Sequence, residues 1–178
     1  PGMKVAVSQT KRNQQGFKNR FVKIVYEDRW LIVVEKQIGI LSMAAGHSTL
    51  NVKSVLDDYF RQSRQKCTAH VVHRLDRDTS GVILFTKTRA VNAACHDMFE
   101  QPTAQKVYEA VVCVQKSEAK KFPVGASFTV DLPLGRISPK GQAAKWGRVS
   151  EKNGGLPSKT EFTVLLKPTV PSPAPSSS

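Results

Sequence analysis

Val71-Val72-His73-Arg74-Leu75-Asp76-Arg77-Asp78-Thr79-Ser80-Gly81-Val82-Ile83-Leu84-Phe85 sets a polar loop between two apolar runs. Short apolar runs bounded by turn residues read as buried strands, so this stretch predicts strand, loop, strand. Within the loop, charged and hydroxyl side chains alternate with a single leucine, Leu75. Gly81 allows a positive backbone angle or a close approach, while Asp78, Thr79 and Ser80 can bond the local backbone and fix the turn. A turn fixed in this way preorganises the carboxylate of Asp76. On composition alone the same residues also describe a solvated turn with a surface ion pair.

Upstream, residues 21–26 and 30–35 are rich in β-formers and are separated by Glu27-Asp28-Arg29, a connection suited to a hairpin. Beyond it, Gly39 and Gly46 flank a loop, and Ser48 or Thr49 could cap a helix. Val52, Val55, Leu56, Tyr59 and Phe60 follow at i, i+3, i+4, i+7 and i+8, one apolar stripe of a helix. Val91, Ala94, Cys95, Met98 and Phe99 repeat the spacing, which makes Cys95 and Met98 expected core residues. Residues 107–114, 128–132 and 162–166 read as strands, with Pro133, Pro139, Gly141 and Gly154-Gly155 as turns. Residues 1–20 form a polar, basic lead-in, and residues 168–178, with four prolines and four serines, form an expected unstructured tail.

The chain carries 27 Lys and Arg against 14 Asp and Glu, so 27 − 14 = +13, which points to a polyanionic partner. No apolar run approaches the ~20 residues that span a bilayer, and the start lacks a signal-peptide pattern. The expected setting is therefore cytoplasmic, without a membrane. Cys67, Cys95 and Cys113 are odd in number and widely spaced, which suggests neither a disulfide framework nor a metal site.

The ordered string His73-Arg74-Leu75-Asp76-x-x-Thr79-Ser80-Gly81, with Val-Val before it and Val-Ile-Leu-Phe-Thr-Lys after it, resembles the signature motif of the RluA-type RNA pseudouridine synthases. Ile24-Val25-Tyr26-Glu27-Asp28 through Leu31-Ile32-Val33-Val34-Glu35-Lys36 to Gly39-Ile40-Leu41 resembles that family's first motif, although Gln37 stands where a proline usually follows the lysine. Lys106-Val107-Tyr108-Glu109-Ala110-Val111-Val112 resembles its next motif.

The resemblance implies an α+β catalytic domain over residues 21–167, built on a mixed, largely antiparallel sheet with flanking helices. It implies that Asp76 is the catalytic residue, attacking or deprotonating the ribosyl unit of a uridine so that the uracil is released, rotates and rejoins through carbon. Substrate contacts would come from Arg74, filling the gap in the RNA stack or touching the backbone, and from Tyr108, lying on the flipped uracil. The implied partner is ribosomal or transfer RNA, the expected protein a monomer, and neither cofactor nor metal is called for. His73 reads as a hydrogen-bonded structural residue, and Lys36, Arg77, Lys87 and the basic lead-in read as phosphate contacts or solvated charges.

The resemblance stops near Lys167, where family members continue into a motif of the form Thr-Gly-Arg-x-His-Gln-Ile-Arg whose arginine pairs with the catalytic carboxylate. Three readings are left open: a truncated synthase, an RNA-binding pseudoenzyme, and a basic structural protein with an incidental likeness.

Overall fold

The computed structural model describes residues 17–44, 50–101, 103–115, 117–142 and 144–166. The chain divides into two compact units, Pro1–Val107 and Tyr108–Ser178. The expected tail lies outside the described residues, as does the expected lead-in up to residue 16. Phe17, inside that lead-in, sets its ring edge-on to Tyr59 with centroids 5.0 Å apart.

The first unit is built on the expected hairpin, strands β1 (Val22–Glu27) and β2 (Leu31–Lys36). Its connection falls one residue later than predicted, at Asp28-Arg29-Trp30, because Asp28 organises the turn. The Asp28 carboxylate accepts from the backbone N–H of Trp30 and of Leu31, both at 2.7 Å. Opposite β2, the ladder slips between Ile24 and Tyr26, so that Val25 is the extra residue of a bulge. Strands β3 (His70–Val71) and β4 (Gly81–Thr86) complete a sheet of order β1-β2-β4-β3, antiparallel at every ladder.

Helix α1 (Val52–Gln62) buries Val52, Val55, Leu56, Tyr59 and Phe60, the stripe its spacing predicts. These residues form one core with Val22, Ile32, Val34, Ile83 and Phe85 of the sheet. At ~1.5–3 kcal/mol per fully buried large side chain, that stripe is the main tie between helix and sheet. The helix is capped by Asn51 rather than by residue 48 or 49, which lie outside the described residues. Asn51 Oδ1 accepts from the Ser54 N–H and Ser54 Oγ accepts from the Asn51 N–H, both at 3.0 Å. This reciprocal pair satisfies two donors at once.

Helix α2 (Asn92–Glu100) forms as the periodicity predicts, yet none of its residues is buried. Met98 is 51% exposed and Cys95 only partly covered, so the expectation that both are core residues is corrected. The amphipathic spacing is there, but the face is only partly covered: Phe99 meets the His73 ring at 4.4 Å, while Met98 stays in solvent. Asn92, the first residue of α2, instead ties the helix to the sheet through donations of 3.1 Å to the Val71 carbonyl and to Thr86 Oγ1.

At the end of the sheet away from the residue 73–81 loop lies a buried polar network. Lys87 Nζ meets Glu27 at 2.8 Å and donates to the Asp28 carbonyl at 2.8 Å. Glu27 also accepts from the Tyr59 hydroxyl at 2.6 Å and from Gln65 at 2.9 Å. The Tyr59 hydroxyl is pushed far above its ordinary range, chiefly by burial and then by its bond to the Glu27 carboxylate.

In the second unit, β5 (Ser127–Asp131) pairs antiparallel with β8 (Lys159–Thr163), close to two of the predicted strands. The rings of Phe128 and Phe162 stack across that ladder, with centroids 5.1 Å apart. Two short strands that sequence reading did not anticipate, β6 (Leu134–Arg136) and β7 (Trp146–Arg148), form a second ladder. The strand predicted over residues 107–114 is absent. Those residues are irregular, with Val107 and Val111 88% and 90% exposed. High β-propensity is not enough without a neighbouring strand to take the backbone hydrogen bonds, and none of the described strands supplies one. The architecture is α+β; among the described residues every ladder between named strands is antiparallel, and an isolated bridge between Leu41 and Asn51 is parallel.

Candidate active site

The candidate site is the connection from β3 to β4, residues 72–80, which carries Asp76. Two apolar residues anchor it: Val72 and Leu75 are buried, and Leu75 belongs to the core cluster. The backbone of Leu75 is held from both sides by one hydroxyl. Ser42 Oγ donates to the Leu75 carbonyl at 2.7 Å and accepts from the Leu75 N–H at 3.0 Å. On the other side of Asp76, the Arg77 carbonyl accepts from Lys36 Nζ at 3.1 Å and from the Gly39 N–H at 2.8 Å. The Thr79 N–H closes the turn onto the Asp76 carbonyl at 3.2 Å. Both neighbours of Asp76 are therefore pinned, while its own side chain stands 82% exposed.

Lys36 is the residue whose role sequence reading missed. Read as a phosphate contact or solvated charge, it is wholly buried instead, donating to the Gln37 carbonyl at 3.0 Å as well as to Arg77. Burial lowers its proton affinity, against the opposing pull of the Asp78 and Asp76 carboxylates. Its position was readable. β2 alternates partly buried with buried residues, and Lys36 is in phase with Ile32 and Val34, the inward side chains. Ser42 left no such signal, since it lies in an irregular segment. Lys87 is corrected likewise, from phosphate contact or solvated charge to partner of Glu27 in the buried network.

Arg74 lies beside Asp76, with an N–O distance of 3.7 Å and 74% of its side chain exposed. At that distance and exposure the pair is a loose one, which leaves the guanidinium free to turn toward a ligand. Arg77 pairs with Asp78 at 3.1 Å, so Asp78 engages that guanidinium rather than the local backbone. His73 is structural: its Nε2 accepts from the Leu84 N–H at 3.1 Å, and its ring lies 4.4 Å from that of Phe99. Burial, and secondarily Lys106, lowers its proton affinity, which keeps the ring neutral for that acceptor role. Gly81 adopts φ +139°, the positive angle its position in the loop called for.

Tyr108 opens the second unit and is 62% exposed. Arg74 and Asp76 are thus brought together by one loop of the first unit, and Tyr108 belongs to the other unit. Among the described residues no group of three or more His, Cys, Asp or Glu side chains could hold a metal ion. No described helix is long and apolar enough to cross a membrane.

Residues 30–168 match the family model described as RNA pseudouridylate synthase. The chain belongs to that family. It is of the RluA type, as the order of residues 73–81 led us to expect. A relative from Buchnera aphidicola subsp. Acyrthosiphon pisum, "Ribosomal large subunit pseudouridine synthase C", is 36% identical over 151 residues, covering 84% of this chain and 43% of its own length. The Bacillus subtilis protein "Uncharacterized RNA pseudouridine synthase YjbO" is 29% identical over 131 residues, covering 68% of this chain and 44% of its own. A solved structure, "Human RNA Pseudouridylate Synthase Domain Containing 4", aligns with 78% of this chain and 51% of its own at 18% identity and a TM-score of 0.49. The chain thus spans less than half the length of these two curated relatives.

Proposed function

We propose that this chain supplies the Asp76-bearing part of an enzyme that isomerises uridine to pseudouridine in structured RNA. The observation that carries the proposal is the geometry of the loop. An exposed carboxylate projects from a backbone fixed on both sides by Ser42, Lys36 and Gly39. Preorganisation of this kind lets a nucleophile or base act without first ordering itself. Asp76 would act on the ribosyl unit of the target uridine, breaking the N-glycosidic bond and allowing the uracil to rejoin through carbon. Arg74, held only loosely by Asp76, would occupy the gap left by the extruded base or contact the backbone. Tyr108 would lie against the flipped uracil. Ribosomal RNA is favoured over transfer RNA because large-subunit synthases recur among the relatives. Residues 21–167 are read as catalytic-domain sequence, and the protein as a cytoplasmic monomer.

The test is release of tritium from RNA labelled at uracil C5, since forming the carbon–carbon bond expels that atom. Wild type is expected to release it and Asp76→Asn to release none. Full activity of Asp76→Asn would exclude Asp76 from the chemistry. The exposure of the Arg74–Asp76 pair also suits a second reading, an RNA-binding protein without turnover. That reading predicts RNA binding by wild type with no tritium release.

A further inference from the structure

The segment leading into β1 frames an open groove of about 550 Å³, and the charged residues lining it, Lys18, Arg20 and Lys23, are all cationic. The segment is held in place. Phe17 packs on Tyr59, the Phe21 N–H donates to Asn19 Oδ1 at 2.9 Å, and the Phe21 carbonyl accepts from the Gln37 N–H at 2.8 Å. Arg20 lays its guanidinium over the Phe21 ring, 4.4 Å from the centroid, a stacking that leaves its N–H edge free to donate. Lys23 sits 3.7 Å from Glu35, the lysine side chain largely in solvent and the glutamate partly so, and among the described residues neither Lys18 nor Arg20 has an acidic partner. Cations gathered in a concave surface concentrate positive potential there, which favours an extended polyanion.

Position decides which polyanion. Val22, which lines the groove, pairs with Lys36 of β2, and Lys36 pairs with Gly81, where the Asp76 loop enters β4. Two strand spacings are about 10 Å. The Val22 side of the groove and the Asp76 loop therefore lie at the same end of the sheet. We propose that the groove is a second RNA contact, holding phosphates of the strand whose uridine is presented to Asp76. This rests on the functional reading above and extends it to Lys18, Arg20 and Lys23, which lie outside the motifs quoted for the family.

The experiment measures binding of a fluorescein-labelled stem-loop RNA with uridines in its loop, across a range of salt concentrations. Lys18→Ala/Arg20→Ala is compared with wild type and with the charge-conserving Lys18→Arg/Arg20→Lys. Each phosphate contact contributes about 0.7–0.9 to the slope of log K against log salt. The alanine variant is therefore expected to lose about 1.4–1.8 of that slope and to bind roughly tenfold or more weakly at low salt. The charge-conserving variant should stay near wild type, which separates electrostatics from misfolding. An alanine variant with wild-type affinity and slope overturns the groove but leaves Asp76 untouched, since tritium release tests that separately. A charge-conserving variant as weak as the alanine one also overturns it. A wild-type chain that binds no RNA overturns both readings.

Discussion

Replacing Ser42 by alanine removes a single oxygen that holds both backbone groups of Leu75, at 2.7 and 3.0 Å. Ser42 and Leu75 are both buried, so water does not readily take the hydroxyl's place. A neutral hydrogen bond contributes a net ~0.5–1.5 kcal/mol, and leaving a buried partner unsatisfied costs about 1–3 kcal/mol. Two such partners set a loss of roughly 2–6 kcal/mol if the loop keeps its position. The loop can instead shift to let water reach Leu75, which spares stability but moves Asp76. Leu75 remains anchored by its buried side chain, so we expect the cost to be shared between the two.

Urea unfolding of Ser42→Ala should then show a loss of about 1–2 kcal/mol. Tritium release should fall about ten- to thirtyfold, at 1.36 kcal/mol per factor of ten. Measuring both on one preparation separates the two routes. A variant that unfolds and turns over like wild type would refute the reasoning, because the hydroxyl would then not be what fixes the loop.

Lys36→Met should cost activity more than stability: it removes the bond to the Arg77 carbonyl but also relieves the burial of a charge. Urea unfolding and tritium release check this, and a stability loss without a matching activity loss would count against it. Lys87→Met should destabilise by about 3 kcal/mol, the lower end for breaking a buried pair, because Tyr59 and Gln65 still donate to Glu27. A thermal melt close to that of wild type would remove the network from the account of the fold. His73 holds its proton less tightly when folded than its ordinary 6.5, so the unfolded chain binds more protons just below that pH. The stability it contributes is whole above pH 6.5 and is lost as pH falls through 6.5 toward the lowered folded value. Melts of His73→Gln should accordingly change less than those of wild type between pH 7.5 and 5.5, and equal changes would contradict the assignment.

What could be read from the chain depended on whether a pattern is local or needs a partner. The stripe of α1 was legible because five apolar residues at helical spacing in a single element name the face that meets the sheet. The same spacing in α2 named a face but not what covers it, and Met98 is exposed. Residues 107–114 show the same limit for strands, since a ladder is a property of two segments. β6 and β7 hid for the opposite reason. Their paired centres are Gly135 and Gly147, which read as breakers, yet a Cβ at Gly135 would fall 2.9 Å from Val149 Cβ, and one at Gly147 3.0 Å from Ile137 Cδ1. There glycine admits a close approach that β-propensity cannot register.

The candidate site divides along the same line. The carboxylate and its neighbouring arginine were legible as an ordered string, because the loop that carries them is continuous in sequence. The groups that hold the loop, Ser42 and Lys36, are 33 and 41 residues from their partners Leu75 and Arg77. Lys36 alone had a trace, an ionisable residue in phase with Ile32 and Val34 on the inward face of β2. A lysine buried at that point must donate to something, since an unpaired ammonium in the core would cost several kcal/mol. The acceptors within reach are the adjacent Gln37 carbonyl and the Arg77 carbonyl of the β3–β4 loop. The charge pattern of one strand thus carries information about the backbone of a distant loop, and the burial that makes Lys36 costly also couples the sheet to Asp76.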